Sequence, residues 1–135
     1  MFQNLEKIKM GWHLINGDLF RQDSFIDLPF EMKLYWIFIN LICDAAGVFE
    51  PSIKFFEFST GTKINFTKFF ALINHEYPRV LDLNNGKYFL SEYIRDHNGA
   101  NLQESNPVQK GIMKILEKNQ IPLKCVIGSK EYQGL

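Results

Sequence analysis

Histidine, cysteine and carboxylate side chains are the groups in this chain that could catalyse a reaction or hold a metal ion. The three histidines, His13, His75 and His97, fall in three separate segments. The sequence contains no HExxH, CxxC, GxSxG or phosphate-binding glycine-rich spacing, the patterns in which such residues act together. We therefore expect a protein that is not an enzyme and that needs no cofactor or metal ion.

Polar side chains near the middle of the chain suit a different chemistry, contact with nucleic acid. Lysines bind phosphates, whereas amide and hydroxyl groups can meet base edges. One group lies at the start of a short amphipathic segment: Lys63, Asn65, Thr67 and Lys68. Another surrounds an Asn-Gly turn: Arg79, Asn84, Asn85 and Lys87. Nearby carboxylates weaken the positive field, and lysines on amphipathic helices often form only a solvated face.

Three further lysines, Lys110, Lys114 and Lys118, recur every four residues. This spacing places them on one face of a helix as a basic stripe. Such a stripe can follow a phosphate backbone, meet an acidic partner, or serve only as a solubilising outer face. It is our second candidate binding surface.

Charge and cysteine content restrict the class of protein. The 135 residues predict one domain, and fifteen basic residues cancel fifteen acidic ones, so the net charge indicates no particular partner. The two cysteines, Cys43 and Cys125, lie far apart, which indicates free thiols in a reducing cytosol. The longest apolar run is half of the ~20 residues that a membrane span needs, and no signal peptide is visible. We expect a cytoplasmic protein without membrane contact.

The stretch from Phe30 to Cys43 is the element around which the chain is organised. Five apolar residues recur there at the spacing of one helical face: Phe30, Leu34, Ile37, Phe38 and Leu41. Other apolar residues cover most of the remaining circumference, so we expect a helix in the middle of the core. Asp27 is its predicted N-cap, and Gly47 marks the break after it. Before it, we expect an irregular lead-in with one helical turn near Phe2, Leu5 and Ile8 and apolar anchors at Trp12, Leu14, Leu19, Phe20 and Phe25.

Two short helices are predicted after a brief strand at Val48-Phe49-Glu50. Ser52 caps the first, which stops at Thr60-Gly61, and Asn65 caps the second, which runs to about Glu76. Two short helices separated by a glycine turn form a helix-turn-helix candidate. In that motif the first residues of the second helix meet base edges in the major groove.

A hairpin and a final helix complete the predicted elements. Arg79 to Leu90 is typical of a hairpin with a type I′ turn at Asn85-Gly86. The last helix opens at Asn106-Pro107 with four residues on its apolar face: Val108, Ile112, Ile115 and Leu116. The order of elements predicts an α+β fold, a winged helix-turn-helix with an additional C-terminal helix. We assign residues 1–121 to this domain with its lead-in, and residues 122–135 to a tail, in part disordered.

Three stretches of the chain carry a family resemblance. Leu28 to Leu34 with Cys43 to Val48, Asn85 to Leu90, and Asn106-Pro107-Val108 resemble the winged-helix domain of phage and plasmid replication-initiation proteins, the replisome organisers with a DnaD-like amino-terminal domain. The resemblance covers roughly residues 11 to 121. It implies binding of double-stranded origin DNA, self-assembly and contact with replication proteins.

These observations predict a non-enzymatic, DNA-binding winged-helix protein that acts in replication initiation of a phage or mobile element. Two alternatives remain open. The winged helix can serve instead as a protein-interaction or assembly module, which the zero net charge favours, or as a transcriptional regulator. We expect a homo-oligomer, because the aromatic content exceeds what one small core needs and because the resemblance implies self-assembly.

Overall fold

The computed structural model describes residues 21–99 and 101–133. Over these ranges the fold is mixed α+β, with six α-helices and a small antiparallel sheet of three strands. The helices are α1 (Asp23–Ile26), α2 (Phe30–Ile42), α3 (Ile53–Thr60), α4 (Phe66–Ile73), α5 (Tyr93–Asn98) and α6 (Pro107–Lys118). The strands are β1 (Val48–Phe49), β2 (Val80–Asp82) and β3 (Tyr88–Leu90), and a 3-10 helix spans Leu123–Cys125. The predicted lead-in from Phe2 to Phe20 lies outside the described residues, and Phe25 is buried on α1.

Helix α2 begins at the predicted residue and ends at Ile42, one residue before the predicted end, but it buries a different face. Its buried side chains are Met32, Tyr35, Trp36 and Ile39, whereas Phe30 is 73% exposed and Leu41 is 41% exposed. The two ends of the predicted apolar stripe are therefore exposed, and its middle residues, Leu34, Ile37 and Phe38, are only partly buried against the core. The large rings decide the orientation, because aromatic side chains bury the most apolar area.

The caps of α2 also differ from the prediction. Asp27 follows α1 as its C-cap residue and does not cap α2. Pro29 stands at the N-cap of α2, and its carbonyl oxygen accepts the first intrahelical hydrogen bonds, from Met32 and Lys33 at 3.0 Å.

Helices α2, α3 and α4 meet around Tyr35, which is fully buried. Its ring packs edge-on against Phe56 of α3 at 5.1 Å and against Phe69 of α4 at 5.0 Å between centroids. Its hydroxyl donates a hydrogen bond to the carbonyl oxygen of Pro51 at 2.7 Å. Burial raises the pKa of Tyr35 well above its usual value. This aromatic cluster fixes α3 and α4 relative to the central helix.

The sheet has the order β1-β3-β2, with β3 in the middle. The β2–β3 hairpin is confirmed, but the predicted type I′ turn at Asn85-Gly86 is wrong. Such a turn needs positive φ at two successive residues, and here φ is positive at Asn84 (60°) and Gly86 (83°). The Asp82 carboxylate accepts the Asn84 N–H at 2.8 Å, which supports the left-handed conformation of Asn84. Residues 83–87 form what we call the hairpin loop.

A second cluster of buried side chains joins α6 to the sheet and to α5. Ile112 and Leu116 of α6 pack with Phe89 and Ile94, and Asn106 caps α6 as predicted by accepting the Val108 and Gln109 N–H groups. Val108 is exposed, so its assignment to the apolar face is wrong. The expected tail contributes further buried residues to this cluster: Cys125 and Val126. The Ile127 N–H donates to the Ser91 carbonyl oxygen at 3.0 Å, which ties this segment to the end of β3.

Candidate nucleic-acid interface

The turn between α3 and α4 is held by hydrogen bonds between side chains and backbone. Gly61 ends α3 with φ of 69°, the left-handed conformation that glycine adopts readily. Glu57 accepts the Ile64 N–H at 2.9 Å, and Thr60 accepts the Thr62 N–H at 3.2 Å. These bonds fix the direction in which α4 starts. The first turn of α4 is therefore held in a fixed orientation relative to α3.

The residues predicted to bind DNA at this turn differ in whether their side chains already have a partner within the protein. Thr67 and Lys68 are exposed, and their side chains have no polar partner within the described ranges. The Lys63 side chain is 91% exposed and lies 3.6 Å from Glu57, a contact that solvent screens strongly. Asn65 uses its side-chain oxygen as the N-cap, accepting the Lys68 N–H at 3.1 Å. Its predicted role as a base reader therefore rests on its NH₂ group alone.

Arg79 does not lie on the predicted interface. It is 6% exposed, and one guanidinium nitrogen donates to Glu92 at 2.8 Å and to the Tyr77 hydroxyl. The guanidinium also covers the Tyr77 ring at 3.9 Å, and Glu76 lies 3.5 Å away. Burial and the hydrogen bond to Glu92 raise the pKa of Tyr77 to about 12. Arg79 precedes β2 in sequence, but the fold places it against the start of α5, where it is a structural residue.

Asn85 and Lys87 lie on the hairpin loop as predicted. Asn85 accepts the Lys87 N–H at 3.0 Å, and Lys87 is half-buried. The Asn85 amide also donates to Asn119, the C-cap residue of α6, at 3.4 Å. This contact joins residues 34 positions apart, so no local sequence pattern indicates it.

The basic stripe lies on the outer face of α6. Lys110, Lys114 and Lys118 are exposed, and none of them forms an ion pair with any carboxylate of the described chain. Two more exposed lysines follow in the segment that the sequence suggested to be a tail: Lys124 and Lys130. These two lysines were not predicted as part of a binding surface, because their segment has no periodicity. The one indication of their role in the sequence was that they follow the stripe closely.

No protein-family model, curated protein or solved structure matches this chain.

In residues 21–99 and 101–133 no three His, Cys, Asp or Glu side chains are arranged to hold a metal ion. Burial raises the pKa of the Cys43 thiol to about 12, so this thiol is protonated near neutral pH and is a poor nucleophile. None of the helices in residues 21–99 and 101–133 combines the length and the apolar character needed to cross a bilayer.

A cleft of about 140 Å³ lies between α1 and the end of α4. Leu28 and Leu72 give it apolar walls, and Asp27, Glu76 and Arg79 line it as well. Because the Arg79 guanidinium is already paired with Glu92 and Glu76, it is not a free cation for an anionic ligand.

An apolar surface is exposed along α2 and α3. Phe58 is 90% exposed and Phe55 is 55% exposed, and both lie on α3. The Phe55 ring lies 6.1 Å from the ring of Phe38 on α2, and Phe30 and Leu41 of α2 are exposed as well. Large contiguous patches of exposed apolar residues commonly mark protein-interaction sites.

Proposed function

We propose that this protein is a non-enzymatic winged-helix protein that binds double-stranded DNA and acts in replication initiation of a phage or mobile element. The order α2, β1, α3, α4, β2, β3 supports the winged-helix assignment, with the hairpin loop as the wing. The role in replication follows from the resemblance to replisome organisers in the sequence.

One observation carries the DNA-binding proposal. The N-terminal turn of α4 presents Thr67 and Lys68 to solvent while Phe69 of the same helix is fully buried against Tyr35. A second helix held in this way can enter the major groove with its first residues at the base edges. In this arrangement Lys63 and Lys68 bind phosphates, Thr67 meets a base edge, and Lys87 of the wing adds a backbone contact.

Fluorescence titrations of duplex DNA at several salt concentrations test this assignment. Each phosphate contact contributes about 0.9 to the slope of log affinity against log salt, so Lys63→Ala with Lys68→Ala should flatten the slope by nearly 2. Thr67→Val keeps the side-chain shape and removes the hydroxyl, so it should change the preference among sequences and leave the salt slope unchanged.

Lys33→Ala is the matched control, because it removes a lysine from α2 outside the proposed contact. It should bind with the salt slope of the parent. If the double variant of Lys63 and Lys68 also keeps that slope, α4 does not lie on DNA.

The second candidate function is an assembly module, and the exposed apolar surface of α2 and α3 favours it. Phe30 and Leu41 of α2 are exposed, and an antiparallel pairing of two copies would bring Leu34 of one opposite Leu41 of the other. Such a contact uses the same patch on both copies, as two-fold symmetric dimers do. This candidate makes the protein a homo-oligomer, with other replication proteins as further partners.

Sedimentation velocity over a wide concentration range tests the assembly candidate. The parent should form dimers at high concentration, and Phe30→Ser with Phe58→Ser should shift the protein to monomer. Leu72→Ser on α4 is a control that changes another exposed apolar residue. A parent that remains monomeric at every concentration contradicts assembly through this surface.

A further inference from the structure

The sheet separates α4 from α6. Adjacent residues of a strand point to opposite faces of a sheet. On β3, Leu90 belongs to the buried cluster that contains Phe69 of α4, whereas Phe89 belongs to the cluster that contains Ile112 of α6. The two helices therefore lie on opposite faces of the sheet.

The lysines of these two helices point in opposite directions. Phe66 and Phe70 of α4 contact Tyr88 of β3, at 4.9 Å and 5.9 Å between ring centroids. Lys68 stands between these two phenylalanines in sequence, and a rotation of about 100° per residue places it on the other side of α4, away from the sheet. On α6, Ile112 is buried toward the sheet and the basic stripe lies on the far side of the helix. A duplex held against α4 by Lys68 is therefore on the side of the molecule from which the stripe points away.

The basic stripe is a row of charges that have no partner in the described ranges. Lys110, Lys114 and Lys118 are exposed, and none of them forms an ion pair there. Glu117 is the only carboxylate of α6. At a rise of about 1.5 Å per residue the stripe covers about 12 Å, and one strand of a duplex carries a charge per about 3.4 Å, so the stripe spans about three to four phosphates.

The residue types of α6 favour phosphate over an acidic protein as the partner. The helix contains no arginine and no aromatic residue. Those types are enriched where proteins bind each other, whereas lysine is depleted there. Lysine binds phosphate as a point charge, and sequence-independent contact with the DNA backbone needs no other kind of side chain.

We propose that the basic stripe binds the phosphate backbone of a second DNA segment, so that one molecule bridges two duplexes, one at α4 and one at α6. This inference rests on the proposed function, which supplies the duplex at α4. The two duplexes are separate segments because the two basic surfaces point in opposite directions. The contact at α6 is independent of sequence, because it is made by lysines alone.

The test uses two duplexes of about two helical turns, one tethered to beads and one free and fluorescent. Protein bound to the tethered duplex should recruit the free duplex at about 50 mM salt. Recruitment should fall at least about 40-fold by about 200 mM salt, because three phosphate contacts at about 0.9 each are lost. Lys110→Gln with Lys114→Gln and Lys118→Gln should reduce recruitment about tenfold or more, while the protein still binds the tethered duplex through α4. A triple variant that recruits as much free duplex as the parent overturns the proposal.

A matched control removes the same number of positive charges from other parts of the chain. Arg21→Gln with Lys33→Gln and Lys54→Gln leaves the basic stripe and the proposed contacts of α4 intact, so it should recruit the free duplex as the parent does. An equal loss of recruitment in this control and in the stripe variant would show that net charge is the cause, which overturns the proposal.

A second control separates bridging by one molecule from bridging by a dimer. Phe30→Ser with Phe58→Ser changes the exposed apolar surface and keeps every lysine, so recruitment should remain at the level of the parent. Loss of recruitment in this variant would mean that two copies, each bound through α4, hold the two duplexes together, and the proposal would be wrong.

The outcomes distinguish this inference from the function on which it rests. A parent that binds no duplex at low salt contradicts the proposed function. A parent that binds the tethered duplex and recruits no free duplex contradicts the second site alone. Recruitment of fluorescent polyglutamate instead of duplex, dependent on the three lysines, also overturns the proposal and makes the partner of α6 an acidic protein.

Discussion

Asn65 places its side-chain oxygen 3.1 Å from the backbone nitrogen of Lys68, at the start of α4. This bond satisfies one of the amide groups that the first turn of a helix leaves without a partner. Arg79 is likewise committed within the protein, through Glu92. Asn and Arg side chains commonly bind nucleic acid. In this protein, contacts within the fold decide which polar atoms of Asn65 and Arg79 remain free for such binding. The capping role of Asn65 could be predicted, because the residue directly precedes the amphipathic segment of α4. The burial of Arg79 could not be predicted, because its partner Glu92 lies thirteen residues away.

The capping role of Asn65 gives a prediction at the residue scale. Asn65→Ala should lower the free energy of unfolding by about 1 kcal/mol, because the Lys68 amide loses its partner. Asn65→Asp retains an oxygen acceptor and should stay close to the parent. Urea denaturation measures both variants, and an equal loss in the two would show that capping is not the cause.

At the scale of elements, local signals predicted α2, α3, α4 and α6, but they did not predict α1 in the expected irregular lead-in, and they indicated the wrong buried face for α2. The spacing of apolar residues and the caps Asn65 and Asn106 predicted α4 and α6, because these signals lie within a few residues of each other. Helix α2 is apolar nearly all round, so its sequence gives little indication of which face is buried. Contacts of Tyr35 with Phe56 and Phe69, which no local pattern contains, select that face.

The two faces of α2 should differ strongly in their effect on stability. Ile39→Ala removes a fully buried side chain and should cost about 2 to 5 kcal/mol. Phe30→Ala removes a larger side chain that is mostly exposed, and surface changes of this kind usually stay within about 0.5 kcal/mol. Denaturant midpoints of the two variants provide the comparison. A larger loss for Phe30→Ala than for Ile39→Ala would contradict the orientation of α2.

At the scale of the whole molecule, the distribution of charge matters more than its sum. The net charge is zero, yet residues 107–130 carry five lysines and one carboxylate. The sequence predicted the stripe on α6, because its period of four is local. It could not predict that the hairpin loop touches the end of α6, since Asn85 and Asn119 meet only through the fold.

The most direct test of DNA binding is the affinity of the unmodified protein for duplex DNA as a function of salt concentration. If α4 and the hairpin loop contact phosphates as proposed, three lysines are involved: Lys63, Lys68 and Lys87. At about 0.9 for each contact, log affinity should decrease linearly with log salt, with a slope of about −3. Absence of binding at about 50 mM salt, or an affinity that does not change between about 50 and 200 mM, would contradict it.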